Sequence, residues 1–97
     1  MNNSVSVQPE NSTWRLADGV HLKYCLVRKT WLLIAPERIF ILNETAAAAL
    51  TLVDGTRSTI DIAHILAAES YSQSFAIIKL DILNMFLHLS RRRMLFL

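Results

Sequence analysis

Cysteine, glycine, proline and net charge are all scarce in this chain, and each scarcity rules something out. The single cysteine, Cys25, cannot form an internal disulfide, which fits a reducing compartment and leaves stability to an apolar core. Two glycines and two prolines in 97 residues leave no low-complexity stretch and no long flexible linker. The net charge is only +2, much of it from one cluster, Arg91-Arg92-Arg93, so the basic character is a local patch. No run approaches the ~20 apolar residues a membrane span needs. The polar N-terminus has neither the basic nor the apolar region of a signal peptide, so a cytoplasmic, membrane-free location is expected.

Reactive chemistry is sparse too. His21, His64 and His88 fall at spacings that no metal motif uses. Cys25 has no neighbouring histidine in sequence to activate it. Asp18, Glu37, Glu44, Asp54, Asp61, Glu69 and Asp81 form no paired-carboxylate pattern, and no glycine-rich phosphate loop or nucleophile elbow is present. The expectation is a non-enzyme without metal or cofactor.

Apolar residues are plentiful, at 53% against the usual ~45–50%. A domain this small cannot hide them all, so some apolar surface is expected to meet a partner. Residues 1–13 are polar and aperiodic and read as a flexible tail ahead of one domain, 14–97. Val20, Leu22, Tyr24 and Leu26 alternate with His21, Lys23 and Cys25, the pattern of a half-buried strand. Polar turns at Arg28-Lys29-Thr30 and Pro36-Glu37 set off two more strands, Trp31–Ala35 and Arg38–Leu42, both apolar on two faces. Short turns imply an antiparallel meander.

Asn43 can cap a helix over Ala46–Val53 that Asp54-Gly55 ends, Gly55 being left-handed. Ser58 or Thr59 caps a second, with an inner face of Ile62, Ile65 and Leu66, and a break at Tyr71-Ser72 follows. The third runs from Ser74 to about Ser90 with two apolar stripes. Phe75, Ile78, Ile82, Met85, Phe86 and Leu89 form the first; Ile77, Leu80, Asn84 and Leu87 form the second. Met94–Leu97 should pack back or pair. The fold class is α+β: a small winged helix-turn-helix-like domain, a three-stranded antiparallel sheet followed by three helices.

The third strand passes straight into a helix and should be a sheet edge, whose unpaired backbone groups invite a guest strand. Five backbone bonds contribute roughly 5 kcal/mol. Ordering six guest residues costs roughly 6–12 kcal/mol. About 400 Å² of apolar burial adds roughly 10 kcal/mol, so an apolar groove beside the edge is required and affinity should be modest. The expected peptide site is Arg38, Ile39, Phe40, Ile41 and Leu42 with Ile77, Leu80, Asp81, Asn84 and Leu87. Surplus apolar surface at Trp31, Leu33 and Phe40 also makes a homodimer an expectation.

Several stretches together resemble the pyrroloquinoline quinone (PQQ) biosynthesis protein D family, PqqD. They are "GVHLKY", the Ala35-Pro36-Glu37 turn, the Leu42-Asn43-Glu44-x-Ala46 helix entry and "DGTRST" with "IDIAHILA". The likeness runs from about Gly19 to Leu89. It departs at Cys25-Leu26, where the family commonly has acidic residues, and at Arg91–Leu97, without the expected glycine-containing ending. The resemblance implies a peptide-recognition domain that binds a ribosomal precursor peptide as an added strand against the third helix. It further implies presentation of that peptide to a radical S-adenosylmethionine enzyme for Glu–Tyr cross-linking. The alternative reading is a winged-helix DNA-binding regulator. Its recognition helix would offer only Lys79, Asn84 and His88 amid apolar residues, a poor match to base edges, so no nucleic-acid partner is expected.

Overall fold

The computed structural model describes residues 11–69 and 74–97. In chain order the elements are β1 (Arg15–Leu16), β2 (His21–Cys25), β3 (Thr30–Ala35), β4 (Arg38–Leu42), α1 (Glu44–Thr51), α2 (Thr59–Glu69), α3 (Phe75–Arg91) and β5 (Leu95–Phe96). Strands β2-β3-β4 form an antiparallel meander in that order, and β1 pairs antiparallel with β5 in a separate two-stranded sheet. The three-stranded sheet and three helices follow the sequence pattern, and the third strand spans the expected residues.

Alternation sorts the meander into two faces. Leu22, Leu33, Ala35, Phe40 and Leu42 point inward and pack on or within the core; Leu32, Ile34, Ile39 and Ile41 point outward with His21 and Lys23. Leu33, expected to be exposed, is fully buried at the centre of the sheet. Leu26, expected to extend the inward face of β2, lies in the four-residue loop before β3 and is 81% exposed. That loop closes through Lys29 at φ 54°, a left-handed conformation that ends the strand before Leu26 can face inward.

The helices begin where polar side chains satisfy free backbone N–H groups. Asn43 Oδ1 accepts from Ala46 N at 2.8 Å, and Ser74 Oγ accepts from Ile77 N at 3.3 Å. Ser58 and Asp61 exchange reciprocal bonds, Ser58 N to Asp61 Oδ2 and Asp61 N to Ser58 Oγ, the arrangement of a capping box. α1 starts and stops two residues earlier than the alanine run suggested, because Asn43 caps directly from β4. On α2 the buried face is Ile62, Ala63 and Leu66; Ile65 faces solvent, and Ala63 takes the close contact instead. On α3 the first stripe is the core face, with Ile78, Ile82, Phe86 and Leu89 buried.

A segment around Trp14 that carries little apolar pattern is tied into the core. Trp14 is buried: its Nε1 donates to Thr59 Oγ1 at 2.9 Å, and its ring meets Phe86 with centroids 5.9 Å apart. Gly55 N donates to the Trp14 carbonyl, and Thr13 bridges Ser58, so this segment straps the α1–α2 connection. Ser12, just ahead of this segment, is also buried. Residues 1–10 of the expected tail and the expected break at Tyr71-Ser72 lie outside the described residues.

α3 ends in a Schellman turn. Met94 N donates to the Leu89 carbonyl and Arg93 N to the Ser90 carbonyl, while Arg93 takes φ 61°. The left-handed position of such a turn, which most often holds glycine, holds Arg93 here. The turn redirects Met94 and Leu95 into the core and leaves Arg91, Arg92 and Arg93 exposed.

Candidate functional site

The site follows from how β4 is paired. Ala35 and Arg38 flank a two-residue turn, Pro36-Glu37, and stand opposite each other in the register. In such a hairpin the flanking residues are a hydrogen-bonded pair, and bonded and non-bonded pairs then alternate. The bonded pairs with β3 are therefore Ala35–Arg38, Leu33–Phe40 and Trp31–Leu42. The backbone N–H and C=O of Ile39 and Ile41 point away from β3. Since β4 is an edge of the sheet, these groups face open space. The side chains of Ile39 and Ile41 are exposed too, at 64% and 63%.

Beside that edge runs α3, antiparallel to β4. Near the C-terminal end of β4 a cleft of about 420 Å³ separates strand and helix, lined by Ile41, Leu42, Ala46, Asp81 and Met85 above buried Ile82. Further along, the Arg92 guanidinium carbon sits 6.0 Å from the Phe40 ring centroid, a cation–π contact between helix end and strand. At the N-terminal end of β4 a second cleft, about 580 Å³, is lined by Arg38, Arg91, Arg92 and Arg93 together with Asp18 and Glu37. The open strand thus has a cleft at each end, both lined in part by residues of α3 or its C-terminal turn, with the Arg92–Phe40 contact between them.

The structure places the expected residues unevenly. Arg38 to Leu42 form the open strand, and Asp81 stands across the cleft from Ile41 and Leu42. Ile77, Leu80 and Asn84 are exposed on α3 and Leu87 is half-buried, none of them lining the cleft. At 100° per residue the cleft direction is set by Asp81, Met85 and Arg92, which share one face; Leu80 and Leu87 lie roughly a third of a turn away. Met85 and Arg92 are the groove residues that apolar patterning missed. Met85 reads as core from its spacing, and Arg92 belongs to a run that reads as a solvated helix end. An i, i+4 count from Asp81 through Met85 could have found the first of them.

Electrostatics elsewhere are quiet. Among the described residues one ion pair is recorded, Arg57 Nη1 to Asp54 Oδ2 at 3.0 Å, on the far α1–α2 connection. Hydrogen bonds from the Thr56 backbone and hydroxyl, with further help from Arg57, hold Asp54 down to about 2. Among the described residues no three His, Cys, Asp or Glu side chains gather as metal ligands, and no helix is long and apolar enough to cross a membrane.

A family model described as coenzyme PQQ synthesis protein D (PqqD) matches residues 30–95. The chain is 40% identical over 80 residues to a PqqA binding protein of Xanthomonas oryzae, covering 82% of this chain and 86% of that one. It is 44% identical over 81 residues to a bifunctional coenzyme PQQ synthesis protein C/D of Methylorubrum extorquens. That match takes in 84% of this chain but only 22% of the bifunctional protein's length. Among solved structures, the solution structure of the PqqD truncation of Methylobacterium extorquens PqqCD superposes with a TM-score of 0.78 at 39% identity. It covers 95% of this chain and 96% of that one, and is described as a stand-alone recognition element for ribosomally synthesized and post-translationally modified peptides.

Proposed function

The chain belongs to the coenzyme PQQ synthesis protein D family, and from that premise we propose that it captures the PQQ precursor peptide as a fourth strand on β4. The observation that carries this reading is the open backbone of Ile39 and Ile41 beside a groove walled by α3. Relatives named for PqqA binding and a neighbour described as a peptide-recognition element support it. The guest's backbone bonds with Ile39 and Ile41, and its alternate side chains turn inward between Phe40, Leu42 and Met85. Four edge groups at about 1 kcal/mol each do not offset the ordering of an extended segment, so burial in the groove supplies the remainder. Affinity is accordingly moderate and release is easy.

The domain works as a carrier. It holds the precursor extended and hands it to a radical S-adenosylmethionine enzyme, which joins Glu and Tyr side chains of the peptide; the carrier itself contributes no catalytic group. This takes place in the cytoplasm. The outward sheet face, Leu32, Ile34, Ile39 and Ile41, also permits a homodimer that competes with the peptide for the same edge. The DNA-binding reading draws no support from these relatives, and the outward residues Ile77 and Leu80 make α3 a poor groove reader.

A heteronuclear NMR titration of the chain with synthetic PqqA precursor tests the proposal. Amide shifts centred on Arg38–Leu42 and on the Asp81–Arg92 face of α3 are expected. Shifts confined to α2 or to the β1–β5 pair would reject it.

A further inference from the structure

The two clefts that flank β4 are opposite in sign. At the N-terminal end of β4, Arg38, Arg91, Arg92 and Arg93 line one cleft against only Asp18 and Glu37, four cations to two carboxylates, a balance of +2. None of the six belongs to the one ion pair found among the described residues, so Asp18 and Glu37 make no direct ion pair with these arginines. At the other end the charged lining residue is Asp81, beside Ile41, Leu42 and Met85. Resting on the strand-addition reading, we infer that the groove selects its guest by two points. These are an acidic side chain seated at the arginine end and an apolar side chain four residues away at the Met85 end.

The spacing comes from the strand itself. Arg38, Phe40 and Leu42 share the inward face of β4, so guest residues opposite Arg38 and Leu42 are four positions apart on one face, whichever way the guest runs. The chemistry of each point comes from what lines it. Arg92 is held in place: its Nε donates to His88 Nε2 at 3.1 Å while its guanidinium lies over the Phe40 ring. That contact uses one of five N–H donors and leaves the two terminal nitrogens, on a residue that lines the cleft, available to take a carboxylate by two parallel bonds. Arg38 stands on the strand below it. Asp81 does the converse work, since an acidic guest residue shifted to that end meets a like charge on an apolar floor. The groove therefore fixes register as well as affinity. Strand pairing alone does this poorly, because each two-residue slip along an edge remakes the same backbone bonds.

The test is calorimetric titration of the full chain with synthetic PqqA precursor in about 0.15 M salt, where long-range attraction is largely screened. Each Asp and Glu of the peptide is changed singly to Asn or Gln. One of these changes is expected to weaken binding about tenfold, and the same change should cost less than about twofold against the Arg38→Gln/Arg92→Gln chain. Alanine at one of the two positions four residues from that carboxylate should also weaken binding by several-fold. Arg28→Gln, on the opposite hairpin, controls for net charge and should leave affinity unaltered. Arg92→Glu paired with lysine in place of that carboxylate should recover the lost affinity, which a misfolded variant cannot do. Binding that ignores every carboxylate, or a loss that persists in the double variant, overturns the two-point inference while leaving strand addition intact. Binding without amide shifts along Arg38–Leu42 overturns strand addition, and this inference with it.

Discussion

The meander has two edges, and they are built differently. β2 and β4 both flank β3 and both present unpaired backbone to one side. On its outward face β2 carries His21 and Lys23; β4 carries Ile39 and Ile41. Lysine on an edge is a standard defence against unwanted strand pairing, because a docking strand would desolvate the ammonium group. β4 has no such guard on that face, and it alone of the two runs beside α3 with clefts along it. Two edges of one sheet thus share their hydrogen-bonding capacity and differ in what surrounds it. On the strand-addition proposal, recognition sits in the side chains and the neighbouring helix rather than in the availability of backbone.

Both edges depend on β3, so the largest effect is expected where they meet. Leu33→Ala empties the centre of the sheet and should cost about 2–5 kcal/mol in denaturant unfolding, with both edges lost together. A loss well under 1 kcal/mol would mean the sheet is held from elsewhere. Ile41→Pro separates the edges: it deletes an outward N–H while sparing the ladder to β3. Peptide affinity should fall at least about tenfold with a melting temperature only a few degrees lower. Undiminished binding would move the guest off β4. Lys23→Ile makes the guarded edge resemble the open one, and sedimentation should then show new concentration-dependent self-association. Self-association no greater than that of the parent chain would show that lysine is not the guard.

The smallest effect lies away from both edges. Asp54 has its pKa lowered from 3.8 to about 2 by hydrogen bonds from Thr56 and Arg57. Its contribution to stability is therefore complete above the unfolded value and disappears as pH falls through the folded one. Asp54→Asn should melt slightly lower than the parent at neutral pH, and the difference should close between about pH 4 and pH 2 while peptide affinity stays unaltered throughout. A difference that widens on acidification would contradict the assignment.

How much of this was legible in the sequence depends on how local the determinants are. β4 and its cap could be read because Pro36, Asn43 and the apolar run from Ile39 to Leu42 act within a few residues of themselves. The core stripe of α3 was legible for the same reason. The Trp14 strap was not, because its partners are Thr59 and Phe86, far along the chain, and nothing in the polar sequence around it is periodic. The groove wall was half legible. Asp81 falls on it, but hydrophobicity pointed to Ile77, Leu80 and Leu87, and which side of α3 meets the strand is decided by packing. Arg92 was hidden by the Schellman turn at Arg93, a conformation no pattern of apolar residues encodes.

Native-state amide exchange at Ile39 and Ile41, with and without precursor peptide, is the most direct probe of the open edge. In the free chain both amides should exchange far faster than those of Phe40 and Leu42, which are bonded to β3, and saturating peptide should slow them to match. Amides at Ile39 and Ile41 already protected in the free chain, or left fast when peptide is bound, would contradict the account.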